Sequence, residues 1–201
     1  GGSRKQNDKI NKEFLNLINK KAEIVYIPSA GDKDRKYFKE FNDWFGFYGF
    51  KNLVFFSLEK EYNKKLAERI LKSDAIYLSG GDTHHFLWWV KRRKFLSRLR
   101  NFVKKGGVLV GLSAGSVLMT PRINLSGTKN KVRIKNTKAL GLTKFELFPH
   151  YSPSVKTDKK LLEYSETVPY PVLALPNGSG IMVWGKKTKI LGPYRKFHRG
   201  K

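Results

Sequence analysis

The stretch Val108-Leu109-Val110-Gly111-Leu112-Ser113-Ala114-Gly115-Ser116 determines how the rest of the chain is interpreted. Its apolar first half is typical of a buried strand, and the small and apolar residues that continue to Met119 are typical of a helix. Between them lies the pattern G-x-S-x-G, which in a strand–turn–helix setting forms a nucleophile elbow with an exposed serine hydroxyl. A glycine-rich turn without chemistry, or one that binds phosphate, would carry the same glycines. We predict that Ser113 is a nucleophile.

Upstream of this stretch, short apolar segments alternate with segments whose apolar residues have helical spacing. The strand-like segments are 22–27, 52–58, 74–78 and 107–112, and the helix-like segments are 8–20, 38–47, 61–71 and 86–105. Wholly apolar strands that alternate with helices are typical of a parallel sheet covered by helices on both faces. We therefore predict an α/β fold, in one domain that covers residues 1–201.

Downstream of the elbow the pattern changes. Residues 121–138 are polar and basic, which predicts a long exposed loop or hairpin. Three short strands are predicted near the C-terminus, at 172–175, 180–184 and 188–191. Asn177-Gly178 and residues 185–187 have the composition of turns between these strands. We expect residues 1–7 and 193–201 to be flexible ends.

A serine nucleophile needs a general base, and the chain contains four histidines. They are His84, His85, His150 and His198. His150 follows an apolar stretch at the start of a loop, whereas His198 lies in a basic tail. His84 and His85 follow a glycine-rich turn, and one of them would face the site if that turn does. By elimination, His150 is the best candidate for the base.

Acyl transfer also needs two backbone N–H donors for the oxyanion. The Ala114 N–H directly follows the nucleophile. The loop Gly80-Gly81 follows the strand 74–78, and glycine there would let the backbone approach a substrate carbonyl closely. A simple tight turn would have the same residues. We predict that this loop and Ala114 form the oxyanion hole.

Composition limits the class of protein. The 201 residues are 40% hydrophobic, which is enough for the core of one domain. The chain has no cysteine, which excludes disulfides, cysteine-based zinc sites and a thiol nucleophile. No apolar run approaches the ~20 residues that span a bilayer, and the polar N-terminal stretch does not resemble a secretory signal. We expect a soluble, cytoplasmic protein with no membrane partner.

The charge balance is strongly basic. Lys and Arg total 41 and Asp and Glu total 16, so the net charge is +25, and residues 101–201 contain only four acids. Such an excess would attract nucleic acid or an anionic membrane. A coding bias toward Lys, Asn and Ile would produce the same excess without a functional role. Both interpretations stay open.

Three motifs together resemble one known family. In chain order they are Tyr77-Leu78-Ser79-Gly80-Gly81-Asp82-Thr83, Gly111-Leu112-Ser113-Ala114-Gly115-Ser116 and Pro149-His150-Tyr151. They resemble the peptidase E family, which includes the aspartyl dipeptidases and relatives of cyanophycinase, over residues 8–192. The resemblance implies a class I glutamine-amidotransferase-like fold, a three-layer sandwich with a mostly parallel central sheet and helices on both faces. We expect the first strand of that fold, which precedes the helix near Asp8, to be missing.

The resemblance also implies an activity and a set of site residues. Members cleave short peptides with an N-terminal aspartate, or related acidic peptides, and need neither a metal nor a cofactor. In this chain it implies Ser113 as nucleophile, His150 as base, and the N–H groups of Gly81 and Ala114 as the oxyanion hole. Four further residues are candidates for substrate binding: Asp82, Thr83, Arg122 and Tyr151.

The third member of the triad is where the chain departs from the family. The family has an acid about fifteen residues after the serine, where this chain reads Ser126-Gly127-Thr128-Lys129-Asn130. The candidates are Thr128, Asn130 and Glu146, with Ser126, Asp82 and Glu166 as further alternatives. Glu146 is the only acid between Ser113 and His150, but along an extended strand it lies ~13 Å from His150. A neutral acceptor would fix the histidine tautomer but stabilise imidazolium less than a carboxylate.

Two other functions stay open beside peptide hydrolysis. A catalytically degenerate relative would bind polyanions such as nucleic acid through the basic face of helix 86–105, where Trp88 and Trp89 place rings beside cations. An esterase-like hydrolase would use the same acyl-enzyme chemistry. As partners we expect a short peptide substrate, with non-specific polyanion binding and a homodimer as alternatives.

Overall fold

Four parallel strands form the main sheet of the computed structural model, which describes residues 2–30, 32–60 and 62–201. They are β1 (Ile24–Ile27), β2 (Leu53–Phe55), β3 (Ala75–Leu78) and β4 (Val108–Gly111), in the spatial order β2-β1-β3-β4. Ile24 lies opposite Leu53 and Ala75, and Ala75 lies opposite Val108. The loops that follow β1, β3 and β4 therefore meet at one edge of the sheet.

Helices cover both faces of this sheet, because alternate residues of its strands are buried on opposite sides. One core cluster joins Val25, Ile27, Ile76 and Leu78 to α3 (Lys64–Ile70), α4 (Thr83–Arg92) and α5 (Phe95–Lys104). The other joins Ile24, Tyr26, Ala75 and Tyr77 to α1 (Asp8–Leu15) and α2 (Lys36–Phe47). Burying each large apolar side chain contributes roughly 1.5–3 kcal/mol. The α/β prediction, with helices on both faces of a parallel sheet, is confirmed.

A second sheet is formed by strands from the C-terminal half of the chain. It comprises β5 (Glu146–Pro149), β6 (Val172–Leu175) and β9 (Arg195–Phe197), in the order β5-β6-β9. The same half also contains α6 (Ala114–Leu118), α7 (Val155–Glu166) and the hairpin of β7 (Gly180–Trp184) and β8 (Lys187–Leu191). β5 and β6 are parallel, so their carboxyl ends also share one edge. Within the described residues, no strand pairs with the second edge of β4 or of β5.

Two helices, α4 and α5, replace the single long helix predicted over residues 86–105. The helical conformation is interrupted at Arg93 and Lys94, where Lys94 has a φ of +56°. Both Val90 in α4 and Phe95 in α5 are fully buried. In a continuous helix these two side chains would lie roughly 140° apart around the axis, so one of them would leave the core. The break allows both helices to bury an apolar face.

The chain ends are packed, which corrects our expectation for residues 193–201 in particular. β9 pairs antiparallel with β6, and Phe197 is only 1% exposed. Near the other end, the buried Asn7 side chain donates hydrogen bonds to the carbonyls of Gly2 and Ser3. The basic C-terminal segment therefore forms a strand whose Phe197 side chain is buried.

The basic segment 121–138 forms neither a helix nor a strand, but its base is closed by an isolated bridge between Arg122 and Lys138. Ile123 and Leu125 are buried, so the segment is less exposed than predicted. The C-terminal end of the segment is held by side chains of two helices, since Lys91 of α4 donates to the Asn136 carbonyl and Arg100 Nε of α5 donates at 2.7 Å to the carbonyl of Leu140, just beyond the segment. Across the described ranges, no helix combines the length and the apolar composition needed to cross a bilayer.

Candidate active site

Ser113 occupies a strained turn between β4 and α6. Its φ is +48° and its ψ is −108°, a conformation that a residue with a side chain rarely adopts. Two close backbone contacts make the turn sharp: a Cβ on Gly111 would collide with the backbone of residue 115, and a Cβ on Gly115 would collide with the Leu78 carbonyl. The glycines of G-x-S-x-G are therefore required sterically, as a nucleophile elbow demands.

His150 reaches this serine from the end of β5. It follows Pro149 with a φ of +57°, which turns the chain away from the strand direction. The Ser113 Oγ and the His150 Nε2 are 2.7 Å apart. Both side chains lie at the same edge of the fold although 37 residues separate them. The distance is that of a hydrogen bond from a serine hydroxyl to a general base.

Asn177 contacts the other nitrogen of the same ring. Its Oδ1 lies 2.8 Å from the His150 Nδ1. An amide oxygen only accepts, so the Nδ1 must carry the proton and the Nε2 is free to accept from Ser113. Asn177 lies two residues beyond the end of β6, the parallel neighbour of β5. The arrangement is Ser113–His150–Asn177.

None of the three predicted third members contacts His150, which corrects that part of the sequence interpretation. The Thr128 Oγ1 lies 3.0 Å from His84 Nδ1 and 2.8 Å from Ser126 Oγ. The Asn130 side chain bonds the backbone of Ile134 within its own loop. Thr128 and Asn130 therefore stabilise the segment 121–138 instead of orienting the base.

Glu146 is buried at the opposite end of β5 from His150. It is 1% exposed, and its Oε2 accepts a hydrogen bond of 2.7 Å from the Tyr164 hydroxyl. Burial raises the pKa of the Glu146 carboxyl, and it also raises the pKa of Tyr170 to about 12. The chain's only acid between Ser113 and His150 thus belongs to a buried polar cluster.

Two backbone amides near the nucleophile are candidates for the oxyanion hole. Among the described residues, no acceptor bonds the N–H of Ala114 or of Gly81. The loop that contains Gly81 lies close to the serine, since a Cβ on Gly80 would sit 3.5 Å from the Ser113 Cβ. Free amide donors beside a nucleophile are what an oxyanion hole requires.

Two of the four candidate substrate-binding side chains, Asp82 and Tyr151, already have hydrogen-bond partners within the protein. Asp82 caps α4 by accepting from the His85 N–H, and Thr83 is buried. The Tyr151 hydroxyl donates to Asp158 Oδ1 at 2.7 Å. Arg122 lies within electrostatic reach of Glu146. A role in substrate binding stays a prediction for these four residues.

Within the described residues, the hydrogen bond between Ser113 Oγ and a histidine is the one to His150. His85 Nδ1 lies 3.2 Å from the Ser29 carbonyl oxygen, and its Nε2 accepts from Trp89 Nε1 at 3.2 Å. His198 lies beside β9, where its backbone N–H donates to the Lys201 carbonyl. Within the described part of the chain, no three His, Asp or Glu side chains converge in a geometry that would hold a metal ion.

The sequence does not single out Asn177, because the family pattern points to an acid, or to a polar residue around 126–130, as the third member. Asn-Gly is also a common turn sequence, so its composition predicts a turn at Asn177-Gly178. A usable signal did exist. The carboxyl ends of neighbouring parallel strands meet at one edge, so a polar residue just after β6 would lie near the histidine just after β5.

Comparison with curated proteins finds peptidases. The chain is 32% identical to "Peptidase E" of Shewanella amazonensis over 133 residues, which is 62% of this chain and 57% of the relative. It is 28% identical to "Probable alpha-aspartyl dipeptidase" of Drosophila melanogaster over 179 residues, 84% of this chain and 72% of the relative. The chain spans 57–66% of the length of three bacterial relatives.

Two solved structures share the fold. A Listeria monocytogenes protein superposes with a TM-score of 0.75 at 24% identity, over 94% of both chains. A peptidase from an acI-B1 Actinobacterium superposes with a TM-score of 0.71 at 17% identity, over 100% of this chain and 92% of that one. The family model described as "Peptidase family S51" matches residues 1–191. The chain therefore belongs to peptidase family S51.

Proposed function

We propose that the chain hydrolyses peptide bonds through an acyl-enzyme on Ser113, with His150 as general base. The observation that carries this proposal is the 2.7 Å contact from Ser113 Oγ to His150 Nε2, with the Nδ1 proton held by Asn177. Asparagine has the same role in the Cys-His-Asn site of papain-like proteases.

The steps follow from this geometry. His150 Nε2 takes the Ser113 hydroxyl proton as Oγ attacks the peptide carbonyl carbon, and a tetrahedral oxyanion forms. The imidazolium then gives that proton to the leaving amine nitrogen as the carbon–nitrogen bond breaks. Water attacks the resulting ester, and His150 takes the water proton and returns one to Ser113. The N–H groups of Gly81 and Ala114 stabilise the oxyanion in both halves of the reaction.

Short peptides with an N-terminal aspartate are the proposed substrates. The dipeptidase name of the Drosophila relative supports this class. The net charge of +25 supports it as well, because a positive field raises the local concentration of acidic peptides.

A dipeptide panel tests this substrate class. We expect kcat/KM for Asp-Leu to exceed that for Asn-Leu and Ala-Leu by at least about tenfold, which corresponds to roughly 1.4 kcal/mol of differential binding. Release of free leucine, followed by chromatography, is the measurement. Equal rates for the three dipeptides would contradict the aspartate preference, and no release from any peptide would contradict the hydrolase.

A second candidate function, nucleic-acid binding, is favoured by a basic groove between α3 and the α4–α5 junction. It has a volume of about 460 Å³ and is lined by Tyr62, Lys64, Arg92, Arg93, Lys94, Ser97 and Arg98. The lining includes five cations and no acid, although Arg98 pairs with Glu68 at 2.6 Å beside it. The Arg92 guanidinium lies 4.9 Å from the centre of the Trp88 ring. Cations beside aromatic rings suit a single-stranded polynucleotide.

Charge reversal in this basic groove tests the second function. We expect the double variant Arg92→Glu/Lys94→Glu to bind a fluorescent 20-nucleotide single strand at least about tenfold more weakly, with a flatter dependence of log K on log salt concentration. Lys186→Glu/Lys187→Glu at the exposed tip of the β7–β8 hairpin is the matched control, since it changes the net charge equally. Equal losses in both variants would show that binding depends on net charge and not on the basic groove.

A further inference from the structure

The peptide bond between Gly80 and Gly81 is held by two buried serines. The Gly80 carbonyl oxygen accepts hydrogen bonds from Ser29 Oγ at 2.7 Å and from Ser79 Oγ at 2.9 Å. Both serines are at most 6% exposed. The Ser29 N–H in turn donates to Ser79 Oγ at 2.8 Å, which closes the network. Both lone pairs of the Gly80 oxygen are therefore occupied.

Anchoring this carbonyl determines where the next amide points. In a planar trans peptide the N–H is directed opposite to the C=O, so the Gly81 N–H faces away from the two serines. A Gly-Gly peptide has little steric preference of its own and would otherwise rotate easily. Ser29 also occupies the space beside Gly81, because a Cβ on Gly81 would collide with the Ser29 hydroxyl. The φ of Gly81 is +128°, a conformation that favours glycine. Two hydroxyls thus select one orientation of a flexible peptide.

The same bonds strengthen the donor. Two hydroxyl donors on a carbonyl polarise the amide, and hydrogen bonds in such a chain reinforce one another. The Gly81 N–H then carries more positive charge than an amide with a free carbonyl. The bonds therefore favour both the direction and the strength of the donor.

Ser29 is itself held by α4. His85 Nδ1 lies 3.2 Å from the Ser29 carbonyl oxygen, and Trp89 Nε1 donates to His85 Nε2 at 3.2 Å. A carbonyl oxygen only accepts hydrogen bonds, so the His85 Nδ1 is the donor to Ser29. A hydrogen-bond path therefore runs from Trp89 through His85 and Ser29 to the Gly80–Gly81 peptide.

We propose that Ser29 and Ser79 are positioning residues that aim the Gly81 N–H at the developing oxyanion, with His85 and Trp89 holding Ser29 in place. The inference rests on the proposed function, since it assigns a purpose to two hydroxyls that contact neither the nucleophile nor the base. An oxyanion donor acts in the transition state and contributes little to substrate binding. Loss of either serine should therefore lower kcat and leave KM nearly unchanged.

Single and double alanine variants test this inference with aspartyl p-nitroanilide as substrate. Loss of one whole oxyanion donor costs about 10²–10³ in kcat, so we expect about a tenfold loss for Ser29→Ala or Ser79→Ala and about a hundredfold loss for the double variant. KM should change by less than about twofold. The boronic acid analogue of aspartate forms a negatively charged tetrahedral adduct with serine. In each variant its Kd should rise by the same factor by which kcat falls.

Ser165→Ala is the matched control. Ser165 is fully buried, donates to the Leu162 carbonyl at 2.7 Å and accepts from the Gly200 N–H at 3.0 Å, so it has the same bonding pattern in α7. The melting temperatures of all variants distinguish loss of folding from loss of the Gly81 N–H orientation. Ser29→Ala and Ser79→Ala each delete a different hydrogen bond to the Gly80 carbonyl. Unchanged kcat and boronate affinity in folded variants would overturn the inference. An inactive wild-type protein would instead overturn the proposed function.

Discussion

Replacing Ser113 by alanine is expected to lower kcat/KM for Asp-Leu by about 10⁵-fold while the protein stays folded. The hydroxyl is the atom that forms the acyl-enzyme, and its proton is the one that His150 accepts across 2.7 Å. In serine peptidases, loss of the nucleophile costs about as much as loss of the whole triad, near 2 × 10⁶ in kcat, because the residues act as a unit. Only the small rate enhancement that comes from substrate binding and from the oxyanion amide donors should remain.

A fluorophosphonate probe gives a second measurement that does not depend on the choice of substrate. The probe should label the wild-type protein once, on the peptide that contains Ser113, and should not label Ser113→Ala. Ser97→Ala is a suitable control, since that hydroxyl lies on α5 and donates to the Lys94 carbonyl. Hydrolysis by Ser113→Ala at the wild-type rate would contradict the acyl-enzyme, even if the substrate preference proved correct.

Much of the fold could be predicted because buried parallel strands are short apolar runs. Such runs predict β1 and β3, and the structure buries every residue of both. The glycines around Ser113 predict the elbow, and the collisions that a Cβ would make at Gly111 and Gly115 explain why glycine is required there. In these segments the local pattern and the tertiary packing agree.

Other elements could not be predicted, because their cause lies elsewhere in the chain. α7 buries only Leu161 and Ser165, so its sequence has little apolar periodicity. β9 forms because Phe197 packs in the same cluster as Val172 and Leu161. The helix is interrupted at Lys94 because both α4 and α5 bury an apolar face against the same sheet. Contacts distant in sequence decide all three.

An amide, and none of the four acids of residues 101–201, stands beside His150. Residues 101–201 contain four acids: Glu146, Asp158, Glu163 and Glu166. Glu146 bonds Tyr164, Asp158 pairs with Arg195, and Glu163 lies 4.0 Å from Lys159. Glu166 lies beside Gly200 at the end of α7. The site therefore uses a neutral acceptor, which suggests a direct way to improve it.

Asn177→Asp is expected to raise kcat by about tenfold, and Asn177→Leu to lower it by about 10²–10³. A carboxylate accepts the Nδ1 proton as the amide does, but it also stabilises the imidazolium that forms in the transition state. Charge-assisted hydrogen bonds are roughly twice as strong as neutral ones, and about 1.4 kcal/mol corresponds to tenfold in rate. Leucine has a similar volume but no acceptor, so the ring would lose both its tautomer preference and its orientation.

The pH dependence of kcat separates these effects from a change in structure. Because a carboxylate favours the protonated ring, the acid limb of the profile should move to higher pH in Asn177→Asp, and the gain should appear above that limb. Asn130→Asp is the matched control, since it adds the same charge in the segment 121–138 and its side chain contacts Ile134 instead of His150. If both aspartates raised kcat equally, the gain would come from the lower net charge. If Asn177→Leu kept the wild-type kcat, His150 would need no acceptor, and the Ser113–His150 contact alone would account for the activity.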